Sequence, residues 1–205
     1  SFFEQHTQIP VIDISFGVDL NKFPLPKDDF EFPSLFHIGS MNWIPNIEGI
    51  RWFLDHVWLD IHREFPKLKF YLAGREMPKW LYKAAYPNVV VIGEVDDAWE
   101  FMQSKAIMLV PLLSGRGIRI KIIEGMALGK AVISTRIGAE GINCRHGSDI
   151  LLADDPGEFR EAINKCYRDI EFTHQLGKNA RSVIESFHNN EKIIASLLAF
   201  YHKIL

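Results

Sequence analysis

The densest run of chemistry-bearing residues is Pro111-Leu112-Leu113-Ser114-Gly115-Arg116-Gly117-Ile118-Arg119-Ile120-Lys121, with Glu124 one turn further on. An apolar stretch, 107–111, reads as a strand, two glycines follow it, and helical periodicity begins at Ile118 and runs to Leu128. A strand, a glycine turn and a helix start in that order aim unpaired backbone N–H groups at whatever occupies the loop, which suits a phosphate. Arg119 and Lys121 add two cations beside the positive end of the helix, a repulsive arrangement unless an anion sits with them. The loop is not a dinucleotide fingerprint, because Ile120 stands where the third glycine belongs, and it is not a Walker loop, because Gly-Lys-Ser/Thr is absent. At about 100° per residue, Ile120, Ile122, Ile123, Met126 and Ala127 sweep one buried arc, and Lys121 and Glu124 share the remaining strip. That strip has two readings. One is a surface ion pair worth about 0.2–0.5 kcal/mol. In the other, Glu124 accepts hydrogen bonds from the two vicinal hydroxyls of a ribose while Arg119 and Lys121 hold a diphosphate.

The elements that must position this loop alternate. Strands are predicted at 10–14, 34–38, 69–73, 89–92, 107–111, 131–135 and 150–152, most of them continuously apolar, as strands covered on both faces are. Helical patterns lie between them. The clearest carries Ile47, Ile50, Leu54, Val57, Trp58, Ile61 and Phe65, with Asn46 as its expected cap and Pro66 as its stop. Further helices are predicted at 78–85, 98–104, 118–128, 156–169, 171–186 and 191–204, and the three prolines of 21–33 mark a surface loop. This is the pattern of βαβ units: an α/β, Rossmann-like, mainly parallel sheet with helices on both faces, a helical C-terminal tail and a ligand cleft at the carboxyl ends of the strands.

Composition excludes several classes. In 205 residues, 47% hydrophobic and 24% charged, there is material for an ordinary globular core and none for a collagen, a disordered tail or a disulfide scaffold. A net charge of −3 argues against an electrostatic nucleic-acid binder. Cys144 and Cys166 have no metal-ligand spacing and suit a reducing, cytoplasmic setting. The eight histidines form no ligand pair, and Asp28-Asp29, Asp96-Asp97 and Asp154-Asp155 are adjacent pairs with no Asp-x-Asp, so no metal is expected. No apolar run reaches membrane-spanning length. The opening Ser1-Phe2-Phe3-Glu4-Gln5-His6 has neither an initiator methionine nor a signal-peptide order and reads as a piece of a longer chain. Of the five tryptophans, which read as packing residues, Trp43 is the one placed to meet a ligand.

Taken with further stretches, the glycine loop resembles the C-terminal domain of the retaining GT-B glycosyltransferases of the group 1, or family 4, type. Ser15-Phe16-Gly17-Val18-Asp19 with Phe23 resembles that family's interdomain linker, and Ile38-Gly39-Ser40-Met41-Asn42-Trp43 its glycine turn after the first main strand. Val91-Ile92-Gly93-Glu94-Val95 is similar to the base-pocket stretch, and the run through Lys130, Val132-Ile133-Ser134-Thr135 and Gly138-Ala139-Glu140-Gly141 is similar to the donor-site core. The resemblance implies a linker and first strand over 1–30, a donor-binding domain over 31–188, and a C-terminal helix, 189–205, that packs on an N-terminal domain of the same protein. It implies a nucleotide diphosphate sugar as donor substrate, no cofactor and no metal. Arg119 and Lys121 would neutralise the leaving diphosphate, and Gly39, Ser40, Asn42, Val95, Pro111, Gly115, Gly117, Ile118, Glu124 and Glu140 would contact the donor. Glu124 stands at the second glutamate of the family's Glu-seven-residues-Glu motif, and Arg116 occupies the place of the first. The Arg and Lys that many members carry after the first main strand are replaced by Ser40 and Asn42, and Arg119-Ile120-Lys121 matches the subgroup that carries Arg-x-Lys before the glutamate. An epimerase of the same architecture and a non-catalytic nucleotide-sugar or glycan binding module share these features. The resemblance also implies at most peripheral membrane association. The apolar face of 191–204, with Ile193, Ile194, Leu197, Leu198, Phe200 and Tyr201, predicts self-association of this piece alone.

Overall fold

In the computed structural model, which describes residues 6–24, 29–83 and 86–204, six parallel strands form one sheet. They are β1 (Glu31–Ile38), β2 (Lys69–Ala73), β3 (Val89–Gly93), β4 (Lys105–Val110), β5 (Ala131–Ser134) and β6 (Leu151–Leu152), in the order β3-β2-β1-β4-β5-β6. The order reverses between β1 and β4, which opens a crevice beyond the carboxyl ends of those two strands. The glycine loop leaves β4 there.

Helices cover both faces. After β1 come α1 (Ile44–Phe53), a π-helical turn (Leu54–Trp58) and α2 (Leu59–Glu64), which together make the long helical pattern expected up to Pro66. Then follow α3 (Lys79–Lys83), α4 (Ala98–Gln103), α5 (Ile120–Ala127), α6 (Pro156–Arg168), α7 (Ile170–Phe187) and α8 (Asn190–Ile204). One face of the sheet buries Phe53, Trp58, Phe70 and Phe159, the first three in mutual ring contact, and the other buries Phe36, Met108, Ile122 and Met126. Continuously apolar strands are thereby covered on both sides, as their composition requires.

Four expectations need correction. Residues 10–14 form no strand; they run as irregular chain. β1 begins three residues earlier than predicted despite Pro33, because its register against β4 shifts between Glu31 and Leu35, and the irregularity accommodates a residue without an N–H. Asn46 does not cap α1: Trp43 holds the cap position and Pro45 starts the helix, which frees the buried Asn46 side chain for the site. Ile120 is 45% exposed, because as the first residue of α5 it projects past the end of the sheet. The opening 1–5, part of the proline-rich stretch (25–28) and the last two residues of the predicted 78–85 helix lie outside the described residues.

Entry and exit of the chain are tied together. Val18 N–H donates to the His188 carbonyl at 2.7 Å, Asn190 N–H donates to the Val18 carbonyl at 3.0 Å, and the ring of Phe23 stacks on Trp99 at 4.4 Å. On α8, Ile193, Leu197 and Phe200 turn partly inward, whereas Ile194, Leu198 and Tyr201 are each about half exposed.

Gly49 of α1 lies directly on the loop that follows β4; a β-carbon there would stand 2.1 Å from the Pro111 carbonyl oxygen. Gly49→Ala is therefore expected to destabilise the fold by about 1–3 kcal/mol, since backbone has to move. Urea unfolding should show a lower midpoint with an unchanged slope.

Candidate functional site

The loop is held by its neighbours before it makes any contact of its own. Pro111 and Leu112 are buried, the Thr135 hydroxyl donates to the Leu112 carbonyl at 2.6 Å, and Gly49 seats α1 against Pro111. Residues 113–117 then stand out into solvent. Gly115 and Gly117 have φ of +112° and +86°, a region that side chains disfavour, so two glycines are what this turn needs. The helix begins at Ile120, later than predicted, and Arg119 occupies the cap position while Ile118 remains in the loop.

Arg119 is not displayed on the surface. It is 6% exposed; its guanidinium donates to the carbonyls of Arg116 and Gly117, the first at 2.6 Å and the second at 2.5 Å, and it lies 5.1 Å from the ring centroid of Trp43. Its Nε and second terminal nitrogen are buried without a hydrogen-bond partner. Trp43, 37% exposed, leans on Gly115 and walls the loop on one side.

Lys121 turns toward the end of β1. Its Nζ donates to Asn46 Oδ1 at 2.7 Å and lies 3.3 Å from His37 Nε2, beneath Gly39, where a β-carbon would come within 3.0 Å of Nζ. Asn46 in turn donates to the Ser40 carbonyl at 2.8 Å, the Ser40 hydroxyl donates to Asn42 Oδ1, and Asn42 donates to Glu76. His37 is fully buried with Nδ1 2.8 Å from the Leu109 carbonyl. A carbonyl can only accept, so Nδ1 carries the proton and Nε2 is left to accept from Lys121. Burial, then the Lys121 charge, holds the His37 pKa well below the usual histidine range despite that carbonyl. Burial and the neighbouring Arg119 charge lower Lys121 to about 7.

Glu124, one turn along α5, faces the other way. Burial raises its pKa, and the neighbouring Trp99 indole, a donor that favours the charged carboxylate, opposes the rise. Asp97 caps α4 by accepting from the amides of Trp99 and Glu100 at 2.8 and 3.0 Å, which fixes the tryptophan. Val95 packs close by, half-buried in the same apolar cluster. The first turn of α4 lies at the carboxyl end of β3, so Glu124 sits on the loop's side of the sheet. Lys121 and Glu124 thus take separate partners, which removes the surface ion-pair reading. Glu140 is exposed in a turn beside Ile118, with Gly141 (φ +77°) bringing the turn to that side chain.

Two groups escaped the sequence. His37 looked like one of several scattered histidines, although a histidine inside a strand of Leu, Phe and Ile was itself a signal of a buried polar contact. Trp99 as the partner of Glu124 had no signal, because 25 residues separate them.

A family model described as glycosyl transferases group 1 matches residues 32–169. The chain belongs to that family. A protein of Klebsiella pneumoniae described as an uncharacterized 44.6 kDa protein in cps region is 24% identical over 187 residues, covering 87% of this chain and 48% of its own. The fold matches the C-terminal domain of the glycosyl transferase group 1 family protein LpcC from Francisella tularensis, with TM-score 0.68 and 14% identity over 85% of this chain and 100% of that one. It also matches Anabaena HepE, solved in complex with UDP, with TM-score 0.71 and 18% identity over 91% of this chain and 56% of that one. The chain spans about half the length of the Klebsiella relative. The architecture is that of one half of a GT-B glycosyltransferase.

Lys121 offers a direct handle on the site. With a pKa near 7 it is about half charged at neutral pH. A bound diphosphate favours the ammonium and raises that pKa, so binding at pH 8 should take up close to one proton, and binding at pH 6, where the group is already charged, much less. Calorimetry in two buffers of different ionisation enthalpy reads the uptake, and Lys121→Met should abolish it. In the protein alone the sign is set by linkage: the folded pKa lies below the unfolded one, so stability rises as pH climbs from about 7 toward 10.5.

Proposed function

We propose that this chain is the donor-binding domain of a retaining glycosyltransferase, which moves a sugar, of hexose type, from a nucleotide diphosphate sugar to an acceptor. One observation carries the reading: Arg119, buried, and Lys121, half-buried, stand beside a glycine loop and a helix N-terminus with no carboxylate partner among the described residues, and Arg119 keeps two buried nitrogens unpartnered. Cations partly or wholly withdrawn from water without a counter-ion among the described residues, at the positive end of a helix, suit a ligand that brings its own negative charge. In this reading the diphosphate lies over Gly115, Gly117 and Ile118 and draws on Arg119 and Lys121, whose charge stabilises the leaving group as the bond to the anomeric carbon breaks. His37 and Asn46 hold the lysine in place. Glu124, fixed by Trp99, accepts from the ribose hydroxyls, and Val95 borders the base. Gly39, Ser40, Asn42, Pro111 and Glu140 shape the remaining walls of the donor site.

No metal is needed in this scheme, because the cations and the helix end supply the positive charge. The exposed stripe of Ile194, Leu198 and Tyr201 on α8 packs on a second domain of the full protein and makes this piece self-associate when alone. Association with a membrane, if the full protein has one, is peripheral and on the cytoplasmic side; among the described residues no helix is long and apolar enough to cross a bilayer. The test uses the full-length protein with several labelled nucleotide sugars. Transfer, or slow hydrolysis that preserves the anomeric configuration, supports the proposal. Interconversion of donor stereoisomers, or a donor bound and returned unchanged, refutes it.

A further inference from the structure

A cavity of about 290 Å³ opens at the opposite edge of the sheet, where β4 and β5 begin. We propose that it is a second binding site, for a small organic anion with a phosphate or carboxylate head on an apolar body. Its charge comes mainly from α7. His174, Lys178 and Arg181 recur at spacings of four and three and so share one helix face, and all three line the cavity. Gly177 lets that helix descend: a β-carbon there would stand 2.0 Å from the Gly129 carbonyl oxygen.

Lys130 comes in from the start of β5 and is 3% exposed. Its ammonium donates to the carbonyls of Gln103 at 2.8 Å and Lys105 at 2.9 Å and lies 4.5 Å from the centroid of the Phe30 ring. None of these partners carries a charge. Burial lowers its pKa to about 8, as expected of a cation drawn from water without an anion. Arg181 is braced by Glu185 at 2.8 Å and by the Ala127 carbonyl, whereas Lys178 has no carboxylate partner among the described residues. The Nε2 of His174 is buried with no hydrogen-bond partner.

Among the described residues no aspartate or glutamate lines this cavity, in a protein whose net charge is −3. Lys130, Lys178 and a polar histidine nitrogen face one space without a carboxylate among the described residues to compensate them, beside an Arg181 already paired with Glu185, and an anion entering from solution supplies that compensation. Beside these polar groups and the hydroxyls of Thr173 and Ser182, the lining offers an apolar wall: the Phe30 ring, which also contacts the imidazole of His174 at 5.1 Å, with Ala106 and Ala131 at the strand ends. That combination selects a headgroup joined to an apolar body over a bare ion. The length of β4, six residues or about 20 Å, separates the cavity from the glycine loop, so both sites can be filled at once.

Phenyl phosphate carries both features and serves as the probe. Titrated into the isotope-labelled chain, it should give saturable amide shifts at Gly129, Ala131 and Thr173 and leave Gly115 and Gly117 unmoved. Lys178→Glu should weaken that binding by about tenfold or more, and Phe30→Ala should bring the affinity for phenyl phosphate down to that for inorganic phosphate. Unchanged circular dichroism and unchanged UDP affinity establish that each variant is folded. Absence of saturable shifts, shifts confined to the glycine loop, or equal affinity in Lys178→Glu would overturn the proposal.

Discussion

Given labelled nucleotide sugars and a mixture of acceptors, the 205-residue chain alone should hold the nucleotide and transfer no sugar. The loop, Arg119, Lys121 and Glu124 all belong to this chain, so under the proposed reading it should grip a diphosphate by itself. Transfer asks for more. An acceptor hydroxyl has to be held in line with the anomeric carbon, and water has to be excluded; orientation alone is worth up to about 7–11 kcal/mol, or roughly five to eight orders of magnitude in rate. Here the glycine loop stands in solvent, and nothing among the described residues covers it. Calorimetry with UDP and a parallel transfer assay provide the two readouts. Turnover at an ordinary enzymatic rate by this chain alone would refute the two-domain mechanism.

The second large effect is expected at Glu124. Its carboxylate is half-buried, oriented by the Trp99 indole, and raised in pKa by burial, yet the same hydrogen bond favours its charged form. Removing a charged acceptor from two ribose hydroxyls should cost about 1.5–3 kcal/mol, which is about 10- to 150-fold in nucleoside diphosphate affinity. Glu124→Ala also leaves the Trp99 N–H without this acceptor, so Glu124→Gln is the companion variant: it keeps a neutral acceptor and should fall between wild type and alanine. Affinity for inorganic pyrophosphate should stay the same in both variants, because the phosphate contacts proposed above lie on the Lys121 side of α5. Unchanged nucleotide affinity in Glu124→Ala would remove the ribose assignment while leaving the diphosphate site standing.

The parallel sheet and its helices were legible in the sequence because both rest on short-range periodicity. Unbroken apolar runs such as 70–73 and 131–133 signal strands covered on both faces, and the helical spacing from Ile47 to Phe65 signals one long amphipathic stretch. The strand-glycine-helix order likewise located the loop without any tertiary information, since positive φ at Gly115 and Gly117 is a local demand. Local pattern failed where a side chain chose between near-equivalent local roles. Asn46 is a good cap by residue type, but Trp43 and Pro45 already start the helix, and the amide is worth more as a bridge between the Ser40 carbonyl and Lys121.

What the sequence by itself determined is therefore the order of elements, the glycine turn and the set of charged residues near it. The tertiary structure alone decided where those charges point. Arg119 and Lys121 are two residues apart and by sequence are equivalent cations at a helix start, yet one folds back under the loop and the other reaches 84 positions along the chain to His37. Lys121 and Glu124, neighbours on one helix strip, are drawn apart toward Asn46 and Trp99. The reason is energetic. A solvated ion pair on a helix contributes only a few tenths of a kcal/mol, whereas leaving the buried polar groups of β1, α1 and α4 unpaired would cost about 1–3 kcal/mol each. Those groups come from distant parts of the chain, and only folding brings them within reach of the helix.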